Sequence, residues 1–427
     1  MISLHYIYWS LIFLIGIFEI LQVPSGIYKA GIPVIGLILF LSQLLKGKLK
    51  ITAPYFLWVL LFLFVSLCSM VLNQIDVFSL VYFLSYTMLS YFYFLVILNE
   101  KSEKKITRVF KFIRILVLIQ IPAVLIKFIV LGQGEKGGIG TLSTGAGSLS
   151  TVFPLLIIAF LISYYFYTNK KIYLFLIFCY LLFGLIGGKR AIVFYIPLEM
   201  ILGYLLYLKI EKKKFTPSII KNFILIPVMA FFAFYFVVKT NPTLNPENSN
   251  WGSFDPEFVI DYSMHYNETS NIHQAEVSRQ DAFVLYTQYI ITSELSNMLL
   301  GDGAGKLVES KFKEEKGTML DQYGVRYGGR MGFIWLILQT GLLGVFFFFG
   351  LIYKINTHIN TTFKKQTFNK QNPLVLGFFL AGIFMLIDTI TYSNSFVRYE
   401  VIKGIYFFVA ALIIRQQNIV KKQQLSY

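Results

Sequence analysis

The sequence predicts an all-α integral membrane protein of about 12 transmembrane helices with a large, partly helical external loop. Three observations support this fold class. Of the 427 residues, 56% are hydrophobic and only 14% are charged, whereas soluble globular proteins carry about 25% charged residues. The apolar residues form runs long enough to cross a bilayer. The connections between these runs alternate between basic and non-basic segments. A soluble enzyme and a disordered protein are therefore both excluded.

The twelve predicted helices follow from the length of the apolar runs. A helix needs about 17 to 25 mostly apolar residues to cross roughly 30 Å of hydrocarbon. The first run lacks the basic segment and the small-residue cleavage pattern of a signal peptide, so we expect it to be retained as a helix. The runs lie at about 6–22, 28–45, 53–72, 77–98, 112–131, 150–167, 172–188, 191–208, 223–238, 331–353, 373–392 and 399–414.

The distribution of charge predicts the orientation of these helices. With the N-terminus in the cytoplasm, the internal segments hold 22 Lys and Arg residues against three acidic residues. The positive-inside rule then places both termini in the cytoplasm. The formal net charge of +16 is thus a topology signal, and nucleic-acid binding is not expected. The internal segments are 46–52, 99–111, 168–171, 209–222, 354–372 and 415–427.

The chain divides into three predicted parts: helices 1–9 in 1–238, an external loop in 239–330, and helices 10–12 with a cytoplasmic tail in 331–427. The loop contains 8 Lys and Arg residues and 13 Asp and Glu residues. Loops of this length are usually functional. Apolar residues at helical spacing predict an amphipathic helix over 274–298, on the outer leaflet or capping the bundle. A tight backbone turn is predicted to follow at Gly301, Gly303 and Gly305.

Several smaller sequence features concern possible ligands: the third external loop, the two cysteines, the absence of known site motifs, and two loop histidines. The third external loop, 132–147, is rich in Gly and Ser, so it is either a plain linker or a segment that wraps a polar ligand. Cys68 and Cys179 lie inside apolar runs, and we expect them to behave as small apolar residues.

The sequence has no HExxH, CxxC or P-loop pattern, so we expect neither a metal site nor a nucleotide site. Two loop histidines, His265 and His273, are possible general bases.

Cations at the predicted outer boundary are the most informative polar residues. Lys189 and Arg190 lie between two adjoining apolar runs, where charges are costly unless they face a polar cavity or an anion. The guanidinium group matches phosphate oxygens and stays charged in a low dielectric. A phosphate-bearing lipid substrate would suit such a set, although some members can be interfacial anchors. The other arginines at this boundary are Arg279, Arg326, Arg330 and Arg398.

Four further ionisable residues, Glu19, Lys127, Glu199 and Asp388, fall within the apolar runs. Ionisable residues within membrane spans are often functional. Glu19 and Lys127 lie near the ends of their runs and can extend toward the interface. Asp388 lies near the outer end of the eleventh run, where it can pair with Arg398.

Three local motifs, in this order, resemble the O-antigen ligase and O-antigen polymerase (Wzy-type) superfamily. The segment GGKRAIVF resembles the family's Arg motif at the opening of a span, with Arg190 at the Arg position. The segment SRQDAFVLYTQYIITSELSNMLLGDGAG resembles its Arg helix and glycine turn, with Arg279 followed by the three turn glycines. The segment RMGFIWLILQTGLLGVFFF resembles the stretch that ends in Gly-Leu-x-Gly, here Gly341 to Gly344. Twelve spans and a large external loop are also similar to that family, whose fold is a GT-C-like helical bundle.

The sequence departs from the ligase pattern at one important position. Ligases of this family place a His eleven residues before the first Gly of that last motif, and here the position is Arg330. Gln339 also stands where the family often has Glu. The ligase's His base is therefore absent, and the resemblance favours a polymerase.

The resemblance implies a metal-independent and cofactor-independent glycosyl transfer on the outer face of the bacterial cytoplasmic membrane. The donor would be an undecaprenyl pyrophosphate-linked oligosaccharide, and the acceptor another such unit, with a flippase and a chain-length regulator as possible partners. Fixed cations would stabilise the departing pyrophosphate, which assigns catalytic roles to Arg190, Arg279 and Arg330. Supporting contacts with substrate would come from Lys189, Arg326, Arg398, Gly301, Gly303, Gly305, Tyr323 and Tyr327. The possible bases are His265, His273, Asp302 and Asp321.

Three alternatives stay open. An O-antigen ligase-type enzyme would transfer the glycan to a different acceptor. A flippase or transporter of lipid-linked oligosaccharide would also have about twelve spans, but internal repeats are often detectable in such proteins and none is visible here. A membrane scaffold without chemistry is the third alternative.

Overall fold

A computed structural model of the chain consists of helices and connecting turns, with no strand in the part that it describes. That part comprises residues 2–47, 54–132, 139–144, 147–187, 189, 191–213, 228, 231–232, 234–236, 238–239, 244–249, 251–261, 279–307, 331–365 and 372–425. We number the main helices in chain order. They are α1 (Ile2–Phe13), α2 (Ile15–Ile20), α3 (Ser25–Leu44), α4 (Pro54–Leu72), α5 (Val77–Asn99), α6 (Glu103–Ile129), α7 (Leu149–Thr168), α8 (Lys171–Ile186), α9 (Ala191–Glu211), α10 (Arg279–Thr292), α11 (Leu295–Leu300), α12 (Gly332–Lys365), α13 (Asn372–Thr391), α14 (Ser395–Arg398) and α15 (Glu400–Leu425).

The predicted all-helical fold is confirmed for the described residues, and their apolar helices are consistent with a membrane protein. Six helices of the described part are long and apolar enough to cross a membrane, namely α4, α5, α6, α7, α12 and α13. Shorter apolar helices occur at Ala30–Leu44, Lys171–Ile186 and Phe283–Thr292. Helices overlap eleven of the twelve predicted runs, and the run at 223–238 lies largely outside the described residues. The total of twelve spans stays a prediction.

Side-chain contacts define two ends of the bundle. At the end that we call the basic end, Tyr167 Oη and Asn372 Nδ2 both donate to Glu211 Oε1, at 2.7 and 2.6 Å, and so join α7, α13 and α9. At the opposite end, which we call the loop end, Ser395 Oγ donates to Ser148 Oγ at 2.8 Å. The helices α7 and α9 therefore end at the basic end, where α13 begins, and α7 begins at the loop end. These directions agree with the alternating basic and non-basic connections.

The most deeply buried helices form the centre of the bundle. Within the most apolar window of each helix, 78% of α7 is buried but only 28% of α6. The helix α7 packs against α8, α9 and α13, and α5 packs against α15. Aromatic side chains fill much of this core: Trp9 Nε1 donates to Tyr93 Oη at 2.9 Å, and Phe408 packs edge-on to Trp9. The core also contains an ion pair within α15, between Lys403 Nζ and Glu400 Oε1 at 3.1 Å.

The first predicted run, 6–22, is not one continuous helix. The structure divides it into α1 and α2 at Leu14. The third external loop stabilises the break, because Gly16 N donates to Thr141 O at 2.8 Å and Thr141 Oγ1 donates to Phe13 O at 2.7 Å. Backbone groups freed by the interruption are thus satisfied by protein, as a membrane environment requires.

A second interruption divides α12 at Gly341, where φ is 63° and ψ is −170°. The break frees two carbonyl groups of the preceding turn. Leu338 O accepts a hydrogen bond from Asp302 N, and Gln339 O accepts one from Ser69 Oγ, both at 2.7 Å. The glycine turn after α11 and the end of α4 therefore supply the partners that the helix loses at this point.

Candidate functional site

A chain of hydroxyl groups lies at the loop end, where α7 begins. Ser393 Oγ donates to Asp388 Oδ2 at 2.6 Å and lies 2.9 Å from Ser395 Oγ. Ser395 Oγ lies 2.8 Å from Ser148 Oγ, the residue that precedes α7. We call Ser148, Ser393 and Ser395 the hydroxyl chain. Since the N-terminus of a helix carries partial positive charge and unpaired N–H groups, this arrangement suits an anionic or hydroxyl-rich ligand.

The start of α12 is held against the same chain of hydroxyls. Gly332 N donates to Ser393 O at 3.0 Å. A Cβ atom on Gly332 would lie 2.7 Å from Thr389 Cγ2 and 3.0 Å from Val397 Cγ2, so only glycine permits this close approach. The described chain resumes at Met331, next to this contact. The beginning of α12 is thus fixed at the loop end.

The turn between α8 and α9 packs against the first turn of α7. A Cβ atom on Gly187 would come 2.5 Å from Ser150 Cβ, so the two backbones lie close together. Lys189 N donates to Gly184 O at 3.1 Å, and the Lys189 side chain is half-buried. Lys189, which the sequence predicted to contact substrate, therefore lies in a turn that packs against the start of α7.

Arg398 ends α14, directly beyond the hydroxyl chain. Its guanidinium carbon lies 5.9 Å from the centre of the Tyr86 ring, in a cation–π arrangement with α5. The acidic residue that the sequence offered as its partner, Asp388, accepts a hydrogen bond from Ser393. Arg398 is thus oriented by an aromatic ring, at the side of the hydroxyl chain nearest α15.

The described residues of the third external loop form a structured cap on this end. Glu19 Oε2 accepts hydrogen bonds from Thr144 N at 2.5 Å and from Thr144 Oγ1 at 2.7 Å. Thr141 N donates to Gln120 Oε1 at 2.9 Å, which ties the loop to α6. The Glu19 carboxylate is therefore held by the third external loop and does not extend freely toward the interface. Residues 139–144 are folded and do not behave as a plain linker.

The predicted glycine turn is present, and its glycines pack against protein. A Cβ atom on Gly303 would come 2.5 Å from Ile75 Cγ1, and one on Gly305 would come 2.5 Å from Ser79 C. Asn73 Nδ2 donates to Gly301 O at 3.1 Å. The turn therefore joins α11 to the connection between α4 and α5. Substrate contact at these glycines stays a prediction.

Asp302 is the one proposed base whose side chain the structure describes. It is only 5% exposed, and its Oδ1 accepts a hydrogen bond from Tyr289 Oη at 2.6 Å. Its Oδ2 has no hydrogen-bond partner within the described residues. Asp302 N contacts Leu338, whereas the hydroxyl chain contacts Gly332, so about 9 Å of helix axis separates the two contacts along α12.

Most of the other predicted site residues lie outside the described part of the chain. These are Arg190, Arg326, Arg330, Tyr323, Tyr327, His265, His273 and Asp321. Arg279 begins α10, and only its backbone is described. The predicted helix over 274–298 appears as two helices, α10 and α11, interrupted at Ser293 and Glu294. The roles assigned to these residues stay predictions.

Sequence reasoning did not identify the hydroxyl chain. Single serines in GSLS and TYSNSF have no distinctive spacing, and the high Gly and Ser content of the loop before α7 was the one available signal. No group of three His, Cys, Asp or Glu side chains within the described residues could hold a metal ion. The arrangement provides hydroxyl groups, a helix N-terminus and cations, which are groups that bind sugars and phosphates.

Comparison with known proteins does not assign a family to this chain. No protein-family model matches it, and no curated protein matches it. Its function is therefore argued from the geometry of the loop end together with the order of its motifs.

Proposed function

We propose that this protein is a membrane glycosyltransferase that polymerises oligosaccharide repeat units linked to undecaprenyl pyrophosphate, on the outer face of a bacterial cytoplasmic membrane. The product would be a surface polysaccharide such as O-antigen, capsule or exopolysaccharide. The reaction would occur at the loop end, and both chain termini would lie in the cytoplasm.

The observation that supports this proposal most strongly is the convergence of four segments at the loop end. The first turn of α7 contacts the α8–α9 turn through Ser150 and Gly187, and contacts α14 through Ser148 and Ser395. Ser393 in turn contacts Gly332 at the start of α12. In sequence, Arg190 immediately precedes α9, and Arg330 is two residues before Gly332. Two of the three proposed catalytic arginines thus adjoin segments that meet.

The chemistry requires cations at the donor and a base at the acceptor. The acceptor hydroxyl oxygen attacks the anomeric carbon, the bond from that carbon to the pyrophosphate oxygen breaks, and the acceptor proton passes to a base. The lipid pyrophosphate leaves with the bonding electron pair. Arg190, Arg279 and Arg330 would stabilise its charge, an effect worth about 10²–10³ in rate for each fixed donor. Asp302, with one carboxylate oxygen lacking a partner, is the best-described candidate for the base.

A second candidate function is the movement of a lipid-linked oligosaccharide across the membrane. The observation in its favour is the interrupted helix α12, because discontinuous helices frequently form transport sites. Glu199 also favours a transport function, since its carboxylate is fully buried and lacks a hydrogen-bond partner within the described residues. A transporter would move the donor without cleaving it, so the two functions differ in their products.

The test is a reconstitution with purified components. The full chain, in liposomes, receives lipid-pyrophosphate oligosaccharide from the host strain, and a gel resolves the glycan products. Wild type is compared with Arg190→Ala, Arg279→Ala and Arg330→Ala. Arg415→Ala is the matched control, since Arg415 pairs with Glu103 at the basic end. Gel filtration and the unfolding temperature report whether each variant is folded.

The outcomes distinguish the candidates. A ladder of products made by wild type and Arg415→Ala, and lost in the three loop-end variants, would support the polymerase. A single transfer to another acceptor would instead indicate a ligase. Transfer of intact donor between leaflets, with no cleavage, would indicate a flippase and overturn the proposal.

A further inference from the structure

A large groove opens on the side of the bundle between α9, α12 and α13. Its volume is about 1580 Å³. Along α13 its lining extends from Asn372 to Ile390, which is about 27 Å of helix axis. This length is close to the roughly 30 Å thickness of the hydrocarbon core. The groove therefore runs through almost the full depth of the membrane. At the loop end its lining reaches Phe333 and Phe396, next to Gly332 and Ser395, and its other end lies at the basic end.

The middle of the groove is apolar and open at the side. Phe346 is 59% exposed and Leu386 is 46% exposed, although both line it. In a membrane-spanning bundle these side chains face lipid, so hydrocarbon chains have direct access. An apolar ligand gains little there from the hydrophobic effect itself, since lipid tails are equally apolar. Selectivity must therefore come from the polar groups at the end of the groove.

Those polar groups are predominantly basic. Lys209 and Lys212 on and after α9, together with Lys354 on α12, line the groove at its basic end. The acidic side chain among them, Glu211, already accepts hydrogen bonds from Tyr167 and Asn372. The three lysines and one glutamate leave an excess of positive charge where a lipid headgroup would lie. The positive-inside pattern predicts that this end faces the cytoplasm, where anionic lipids attract basic residues.

Asn372 provides an independent indication of a ligand. It is only 7% exposed, its Nδ2 donates to Glu211, and its Oδ1 has no hydrogen-bond partner within the described residues. A buried acceptor without a partner is costly unless a ligand or water donates to it. Asn372 is also the first residue of α13, so the positive end of that helix dipole faces the same region. The site therefore offers an acceptor for a hydroxyl group next to cations for a phosphate.

We propose that the basic end of this groove binds an anionic glycerophospholipid of the bilayer, with its acyl chains in the apolar part. The phosphate contacts Lys209, Lys212 and Lys354. A headgroup hydroxyl donates to Asn372 Oδ1. The headgroup lies at the opposite end of the bundle from the proposed glycosyl-transfer site, and this inference stands whether or not the polymerase proposal is correct.

The test measures retained lipid and not turnover. The full chain is purified in mixed micelles with phosphatidylglycerol or phosphatidylcholine, and native mass spectrometry counts bound lipids as their concentration is varied. The test variant is Lys209→Gln/Lys212→Gln/Lys354→Gln. The charge-matched control is Lys104→Gln/Lys111→Gln/Lys171→Gln, whose lysines are exposed and do not line the groove. Ile383→Trp, which leaves all charges in place, fills the apolar part of the groove.

The proposal predicts that wild type prefers phosphatidylglycerol over phosphatidylcholine by about tenfold or more. This preference should disappear in the groove triple variant and persist in the control triple variant. Ile383→Trp should reduce the binding of both lipids. The single variant Lys354→Gln, with a partial loss expected, covers the case in which the triple variant fails to fold. Equal weakening by the two triple variants, or equal affinity of wild type for the two lipids, would overturn the proposal. So would occupancy by a polyprenyl lipid that phosphatidylglycerol cannot displace.

Discussion

Gly301 and Gly341 meet backbone to backbone, and this contact joins the glycine turn to the break in α12. A Cβ atom on Gly301 would come 2.6 Å from Gly341 N, and the φ angles of the two residues are 74° and 63°. Both positions therefore require glycine for two reasons. Their φ angles are positive, and the neighbouring backbone lies too close to leave room for a Cβ atom. The proposed base, Asp302, immediately follows Gly301, so its position depends on this contact.

Replacing either glycine by alanine should lower the stability of the protein. We expect Gly301→Ala and Gly341→Ala each to cost about 1–3 kcal/mol through overpacking, in addition to backbone strain. Gly47→Ala is the matched control, because Gly47 has a φ of 59° but nothing within 4 Å of its Cβ position. Thermal unfolding in detergent measures the effect. A control as destabilised as the two test variants would show that strain alone, and not the packing contact, matters.

Thr141 should be essential for the structure of the break between α1 and α2. Thr141→Val removes the hydroxyl that donates to Phe13 O and accepts from Gln120 Nε2 at 2.8 Å. Buried groups left without partners cost about 1–3 kcal/mol each, so the unfolding temperature should fall by several degrees. Thr168→Val is the control, since that hydroxyl is exposed and donates to Tyr164 O within its own helix. Equal unfolding temperatures for the two variants would contradict this role.

The folding and the kcat of the Asp302→Asn variant should together show whether the role of Asp302 is catalytic or structural. The asparagine side chain can still accept the hydrogen bond from Tyr289, so we expect the variant to fold and to elute normally. If Asp302 is the base, kcat should fall by about 10²–10⁴. Tyr289→Phe, which keeps the carboxylate, should have a smaller effect on kcat. Wild-type turnover by Asp302→Asn would exclude Asp302 as the base.

Lowering the pH should reduce the stability of the protein at the basic end, because the carboxylate of Glu100, which follows α5, becomes protonated. Burial by itself raises the pKa of this carboxyl, but hydrogen bonds from Lys105 Nζ and Ser102 N, with the lysine charge, outweigh it and lower the pKa below its usual 4.5. Glu100 and Lys105 approach to 2.6 Å. A carboxyl group whose pKa is lower in the folded state than in the unfolded state stabilises the fold at a pH above its usual pKa. This stabilisation is lost as the pH falls below that value.

The effect of Glu100 should be modest, about 1 kcal/mol, because the cost of burying the carboxylate opposes the hydrogen bonds that stabilise its charge. The unfolding temperature of Glu100→Gln should therefore lie below that of wild type at pH 7, and the two should converge as the pH falls below 4.5. Glu257→Gln, on the external loop, is the control. A difference that persists unchanged into acid would show that charge is not the cause.

The positions of most helices could be predicted from the sequence because apolar run length is a strong local signal. The run at 150–167, for example, differs from α7 by one residue at each end, and the run at 77–98 differs from α5 by one residue at its end only. The two interruptions could not be predicted in this way. The break at Leu14 depends on Thr141, more than 120 positions away, and the break in α12 depends on Leu299 and Gly301. Hydropathy along one segment contains no information about these tertiary partners.

The sequence predicted only those parts of the candidate site that contain charged residues or clustered glycines. Lys189, Arg398 and the glycine turn stand out in apolar surroundings, and the structure places all three at helix ends or turns. Glu19 was interpreted as an interfacial residue because its acceptor role depends on Thr144 in another loop. The serines of the hydroxyl chain are chemically ordinary, and only the packing of α7 against α13 and α14 makes them a group.

The central claim is that the loop end breaks the bond between a lipid pyrophosphate and a glycan. The most direct measurement counts released undecaprenyl pyrophosphate against glycosidic bonds formed in proteoliposomes supplied with the lipid-linked repeat unit. We expect one lipid pyrophosphate for each new bond with wild type and with Arg415→Ala. We expect a rate about 10²–10³ lower for Arg190→Ala, Arg279→Ala or Arg330→Ala. Folded wild-type protein that releases no lipid pyrophosphate, or loop-end variants that release it at the wild-type rate, would overturn the proposed reaction.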